Sequence, residues 1–319
     1  MILACGLALS ALTIPVTADP ESWMGEGWQT DFSKSSVGFD GIISGGPPRD
    51  GIPSIDEPQF ITASEVTDIE DREPVIQFPL EGRPRAYPLR ILTWHEIVND
   101  VVDDVPVAVT YCPLCNAAIV FDRRLDGQVL EFGTTGKLRH SDLVMYDRQT
   151  ETWWQQFAGE AIIGELTGAS LRMMPSRIVS FGQFRVAYPG GQVLVANDPR
   201  FRPYGDNPYV GYDTADAPFL FKGELPDNVP AMAHVVVVRT GDGPIIVTLD
   251  RVRKGGFQQE GYRIDYSEGV ASALDSKTIG EGRETGTVRV TKDGKDVVHD
   301  LTFAFVAHAF HPESPIIDD

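Results

Sequence analysis

Two cysteines three positions apart, Cys112 and Cys115, hold the most chemistry in this sequence. They lie in Val105 to Asp122, VPVAVTYCPLCNAAIVFD, which reads as strand, tight turn and strand. In a fully extended segment the Cα atoms of a CxxC pair would stand roughly 10 Å apart, too far for a disulfide or one shared metal ion, so the chain must bend at Pro113 and Leu114. The flanking Val, Ala, Thr, Tyr, Ile and Phe residues, between Asp103-Asp104 and the turn Asp126-Gly127, predict a hairpin buried on at least one face.

Three chemistries compete for this turn. A structural disulfide across so short a loop is worth only about 2 kcal/mol by chain entropy. A redox pair uses one thiolate to attack a substrate disulfide and the other to resolve the mixed disulfide, which would make Cys112 and Cys115 catalytic. Such pairs usually open a helix, whereas the AAIVFDR stretch after Cys115 reads as a strand and the turn carries no basic residue. A metal knuckle is the third: a CPxC turn between two strands aims both sulfurs at one ion and favours glycine after the second cysteine. Asn116 stands there, and asparagine is the next best residue for left-handed backbone. Two sulfurs leave a zinc, copper or iron ion short of donors, so histidine or carboxylate must come from elsewhere. The metal and redox readings stay side by side.

The first candidate for a further ligand is His95, on a short helix expected over Trp94 to Asn99 that delivers the chain into the hairpin. Glu96 reads as the partner of Thr93 in a capping box. His140 and Asp142 follow as second choices. His308 and His311 lie in FAFVAHAF, which reads as a strand and would send them to opposite faces. Trp153 and Trp154, followed by Gln155 and Gln156, offer a surface for a sugar or other flat ligand. They carry a second reading of another class: a non-catalytic ligand-binding protein of the cell envelope with a passive disulfide.

The elements around these residues are mostly strands. Residues 19–55 form an irregular arm rich in glycine and proline. Thr62-Ala-Ser-Glu65 predicts a helix over Ala63 to Asp68, and Val75 to Leu80, Arg85 to Leu89 and Gln128 to Phe132 read as strands, with Gly133 to Gly136 a loop. Residues 197–230 carry six prolines and three tyrosines and should pack on the body as a strap or lid. Residues 234–252 repeat the pattern of 74–92, and Ala273 to Thr278 echoes Met145 to Thr150, which raises a degenerate internal duplication. The fold expected is mainly β or α+β: an antiparallel strand-rich body with short helices, a main domain over 56–230 and a second β-rich lobe over 231–319 packed on it.

The phrases IPSIDEPQF (52–60), RAYPLRILTWHEIVND (85–100), VAVTYCPLCNAAIVFDR (107–123), SDLVMYDRQTETWWQQFAGEAI (141–162), DNPYVGYD (206–213) and AFHPES (309–314) together resemble the domain of unknown function 3179 family. The resemblance implies an exported bacterial or archaeal protein with a CPxC-type hairpin and no assigned activity. It also implies that asparagine often stands at the His140 position.

The chain has 319 residues, enough for one large or two medium domains, and a net charge of −19 from 27 basic and 46 acidic residues. That charge opposes nucleic acid and anionic lipid as partners, leaving an envelope redox partner or a small ligand. Residues 1–18, MILACGLALSALTIPVTA, form an apolar stretch ending in Val16-Thr17-Ala18, the pattern of a cleaved export signal, and they are too short for a confident membrane span. The expectation is a periplasmic or extracellular protein without a stable span in the mature chain. No GxSxG, Walker, Rossmann or HExxH pattern is present.

Overall fold

A computed structural model describes residues 19–319; the expected signal segment, with Cys5, lies outside the described residues. Among the described residues, five sheets of four or five strands and a two-stranded ribbon give the strand-rich body with short helices that the sequence predicts, in a β-propeller-like arrangement that it does not. Among the described residues all strand pairs are antiparallel except two. Among the described residues no helix is long and apolar enough to cross a membrane.

The segment that positions the site runs helix α1 (Leu89–His95), then strands β1 (Ile97–Val102), β2 (Val105–Cys112) and β3 (Ala117–Asp122). Strands β1 to β3 are consecutive neighbours in one sheet, with Cys112 opposite Ala117. A second sheet holds β4 (Phe132–Arg139), β5 (Asp142–Asp147) and β6 (Trp153–Gln155). Asn99 ties the two: its amide nitrogen donates to the Phe132 carbonyl at 2.8 Å and its oxygen accepts from the Phe132 amide at 3.0 Å.

Several local expectations are corrected. The helix expected at Trp94 to Asn99 lies a turn and more earlier, with Pro88 as its N-cap, while the β-branched Ile97, Val98, Val101 and Val102 enter a strand. Thr62 and Glu65 do hydrogen-bond, but the box closes a single turn because Val66, Thr67 and Asp68 are poor helix formers. Gly133 to Gly136 is not a loop: it lies within β4, whose register shifts between Thr134 and Lys137. The strand expected over Gln128 to Phe132 is split between the ribbon strand Gln128–Val129 and β4. FAFVAHAF is a helix, α2 (Ala304–Phe310), for which its three alanines are well suited.

The pattern repeat has a structural counterpart. Pro74–Phe78 and Arg85–Pro88 form an antiparallel pair followed at once by α1; His234–Val238 and Ile245–Thr248 form another, followed by the helix Leu249–Arg253. The weaker echo at Ala273 to Thr278 is turn and loop, unlike the strand that Met145 occupies. The largest core cluster runs from Ile55 to Ile316, drawing on strands from both copies.

The arm is more ordered than expected. It carries the helix Pro20–Gly25 and the strand Ile42–Ser44, which pairs with β4. Trp23 and Trp28 bury against Trp153, with ring centroids 4.9 and 5.1 Å away. Further on, the arm lies directly over Gly136, where φ is +71° and an added Cβ would stand 2.0 Å from the Pro47 carbonyl oxygen. Gly136→Ala combines left-handed strain of about 1–2 kcal/mol with overpacking of about 1–3 kcal/mol, so a loss of about 2–5 kcal/mol is expected in urea unfolding. A loss under about 1 kcal/mol would show that the arm yields without cost.

Buried His234 predicts the acid behaviour of the fold. Burial, then the charges of Arg283 and Arg253, hold its pKa down at about 3, and its Nε2 lies 3.4 Å from the Arg283 guanidinium. Below the ordinary value of about 6.5 the unfolded chain takes a proton that the folded chain refuses. The stabilising contribution is therefore complete above about pH 6.5 and drains away as pH falls towards 3, by about 1.4 kcal/mol per unit. The urea midpoint should drop more steeply from pH 6.5 to 5 in the native chain than in His234→Gln; equal slopes would remove His234 from the account.

Candidate metal centre

The turn between β2 and β3 is built as the sequence predicts. The Cys115 amide donates to the Cys112 carbonyl at 3.2 Å and the Asn116 amide to the Pro113 carbonyl at 3.1 Å. Asn116 takes φ +50°, the left-handed conformation for which asparagine is suited, and its side-chain oxygen accepts from the Tyr111 hydroxyl at 3.0 Å. Both cysteines are free thiols, 2% and 0% exposed. The turn is held from afar as well. Tyr212 donates its hydroxyl to the Leu114 carbonyl at 3.0 Å, and Thr302 donates to the Cys115 carbonyl at 2.6 Å.

Facing the two sulfurs is Asp142. Strands β4 and β5 are joined by the two-residue turn His140-Ser141, with φ +55° and +65°, which places Asp142 opposite Arg139 at the start of β5. Positive φ at His140 is backbone space that asparagine takes up more readily than histidine. One ligand atom from each of Cys112, Cys115 and Asp142 lies within 4.8 Å of the others, and all three residues are buried.

The carboxylate is oriented with one oxygen spoken for. Its Oδ2 accepts from Gln155 Nε2 at 2.5 Å and from the Phe157 amide at 2.9 Å, while Oδ1 is buried with no such partner. Burial raises the Asp142 pKa to about 6, with the thiols acting the other way as donors towards it. Both thiols also lie near the Ser141 carbonyl, at 3.9 and 3.5 Å. Burial pushes each cysteine pKa up, and neighbouring acidic groups add to the effect.

Glu96 is the fourth acidic group here. It caps α1 at φ +58°, is 8% exposed, and burial followed by the Asp142 charge raises its pKa to about 8, with no hydrogen bond contributing. The expected pairing with Thr93 does not form; the Thr93 hydroxyl is itself buried without a partner. Glu96 and Cys112 instead line a cavity of about 90 Å³ with Leu114, Lys137, Leu143 and Tyr209. The Lys137 ammonium is committed to Glu26 at 2.7–2.8 Å. Cys112 thus joins the buried cluster of Cys115 and Asp142 to the cavity that Glu96 lines, a region with little positive charge that a bound cation would relieve.

The other candidates lie elsewhere. His95 has both ring nitrogens engaged, by the Pro53 carbonyl and the Tyr204 hydroxyl, each at 2.7 Å. The helix ends at His95, and the turn at Glu96 sends the next side chain, not the histidine, to the cavity. His140 packs its ring on Phe310 at 5.4 Å, and burial lowers its pKa to about 4. His308 and His311 are at the end of α2 and belong to no cluster with the thiols. Trp153 and Trp154 are fully buried and offer no face to a ligand; the Trp154 indole donates to Asp147 at 2.9 Å. Residues 197–230 do pack on the body, through Tyr204, Tyr212 and a hydrogen bond from Ser141 to the Phe219 carbonyl.

Residues 49–314 match the family described as protein of unknown function (DUF3179). The chain belongs to the DUF3179 family. No curated protein and no solved structure matches it. Within this DUF3179 chain the residue that spacing ranked too low is Asp142. A signal for it was present: two residues suited to a tight turn, followed by an alternating strand that opens on a carboxylate. Glu96 was hidden by its resemblance to a capping residue.

Proposed function

We propose that this chain is a metal-binding protein in which Cys112, Cys115 and Asp142 hold one zinc, copper or iron ion. The observation that carries the reading is the Asp142 carboxylate, wholly buried, with Oδ1 facing no partner other than the two free thiols. Thiolates suit zinc, copper(I) and iron, and three protein donors with a neighbouring cavity are the pattern of a site that keeps a position open. Burial and raised thiol pKa values weigh against exchange with disulfides of other proteins, since the attacking species is an accessible thiolate. The site of action we propose is outside the cytoplasm, on the strength of the apolar stretch 1–18 ending in Val16-Thr17-Ala18. In an oxidising compartment a bound ion also keeps the pair from closing into a disulfide.

The test is elemental analysis with thiol titration on protein purified without chelator. About one equivalent of metal per chain is expected, with both thiols unreactive until the protein is unfolded and the ion chelated. Metal-free protein that takes up no ion, with a cysteine pair whose oxidation follows an applied thiol buffer, would overturn the reading in favour of redox exchange.

A further inference from the structure

We infer that the ion's remaining coordination position faces the cavity beside Cys112 and takes a small, neutral, hydrogen-bonding molecule held by Glu96. This rests on the metal reading above and goes further, because it names what the site is open to. Three donors leave a four-coordinate ion one position short. Cys112 forms one wall of the cavity; Pro47, Leu114, Leu138 and Leu143 supply apolar walls. At about 90 Å³ the space admits several waters or one small organic molecule.

The polar content of the cavity selects the ligand. Glu96 is more than nine-tenths buried, and no hydrogen bond contributes to the environment of its carboxyl group among the described residues. A buried carboxyl without a partner is costly, and a guest that hydrogen-bonds to it removes that cost. Charge then decides between guests. Two thiolates and the Asp142 carboxylate bring three negative charges to an ion of charge two, so the loaded centre repels anions. Lys137, the cation on the cavity wall, is already neutralised by Glu26. A neutral donor atom carrying an N–H or O–H serves both the ion and the Glu96 carbonyl oxygen without adding charge, whereas an anion brings a further negative charge to the centre.

The experiment loads the full chain with cobalt(II) and follows its visible absorption during titration with imidazole and, separately, with azide. Imidazole should shift the spectrum saturably, and azide should bind at least about tenfold more weakly. Glu96→Leu should weaken imidazole about tenfold, the worth of one hydrogen bond to a buried group, while Glu96→Gln, which keeps a carbonyl acceptor, should restore it to within about threefold. A spectrum moved by neither probe, azide binding as tight as imidazole, or an unchanged imidazole affinity in Glu96→Leu would each overturn the inference and leave the metal site standing. A native chain that fails to hold cobalt, zinc or copper would overturn the metal reading itself.

Discussion

With Cys112→Ser and Cys115→Ser together, the chain should carry no transition metal through gel filtration, and Asp142→Asn should still bind but about 100-fold more weakly or worse. Serine oxygens are poor replacements for thiolates because they stay protonated and hard, so removing both leaves one carboxylate to hold the ion. Asparagine at 142 keeps the hydrogen bonds that orient the side chain through its carbonyl oxygen, yet gives up the negative charge that the ion needs. Loss of groups that only orient a ligand costs about 10–100-fold in metal affinity, so loss of a ligand's own charge should reach or exceed the upper end. The readouts are metal content and competition against a chelator, with circular dichroism to confirm that each variant is folded. A double serine variant that retains a full equivalent of metal would remove the cysteine turn from the site.

Trp153→Ala should give the largest loss of stability of any single change outside the site, about 3–5 kcal/mol. Trp153 is fully buried, with Trp23, Trp28 and Phe32 around it at centroid distances of 4.9, 5.1 and 5.5 Å. All three partners come from the arm, Trp23 from its helix and Trp28 and Phe32 from the segment after it, so alanine leaves a cavity and also loosens the arm. Urea unfolding is the measurement, and Trp153→Phe should recover most of the loss. Were Trp153 a ligand platform, truncation would change binding and leave stability nearly intact, a result that a shift below about 1 kcal/mol would establish.

Local patterns carried far in this sequence. Alternation and turn residues placed the strands on both sides of the cysteine turn, and Asn116 marked its left-handed position. The pairs at 74–88 and 234–248 were legible for the same reason: hairpin contacts are close in sequence. Contacts between distant segments were not legible. Asp142 reaches the thiols from a strand of another sheet, and Asn99 ties the two sheets together through Phe132, 33 residues along the chain. Helix boundaries failed where two signals overlapped. Thr93 and Glu96 have capping spacing, but the helix had already begun after Pro88, so the glutamate became its last turn and was free for the cavity.

The hydrogen bond from Thr302 to the Cys115 carbonyl spans 187 residues. At the usual pace of synthesis, about 5–20 residues per second, roughly 10 to 40 s pass between the birth of the cysteine turn and that of its last clamp. Throughout that interval the turn lacks its Thr302 clamp, and a thiol outside the folded pocket has an ordinary pKa of about 8.5. On the metal reading proposed above, the choice of ion is a contest of timing, between whichever metal or oxidant first meets the open turn and the folding of the distant segment that closes over it.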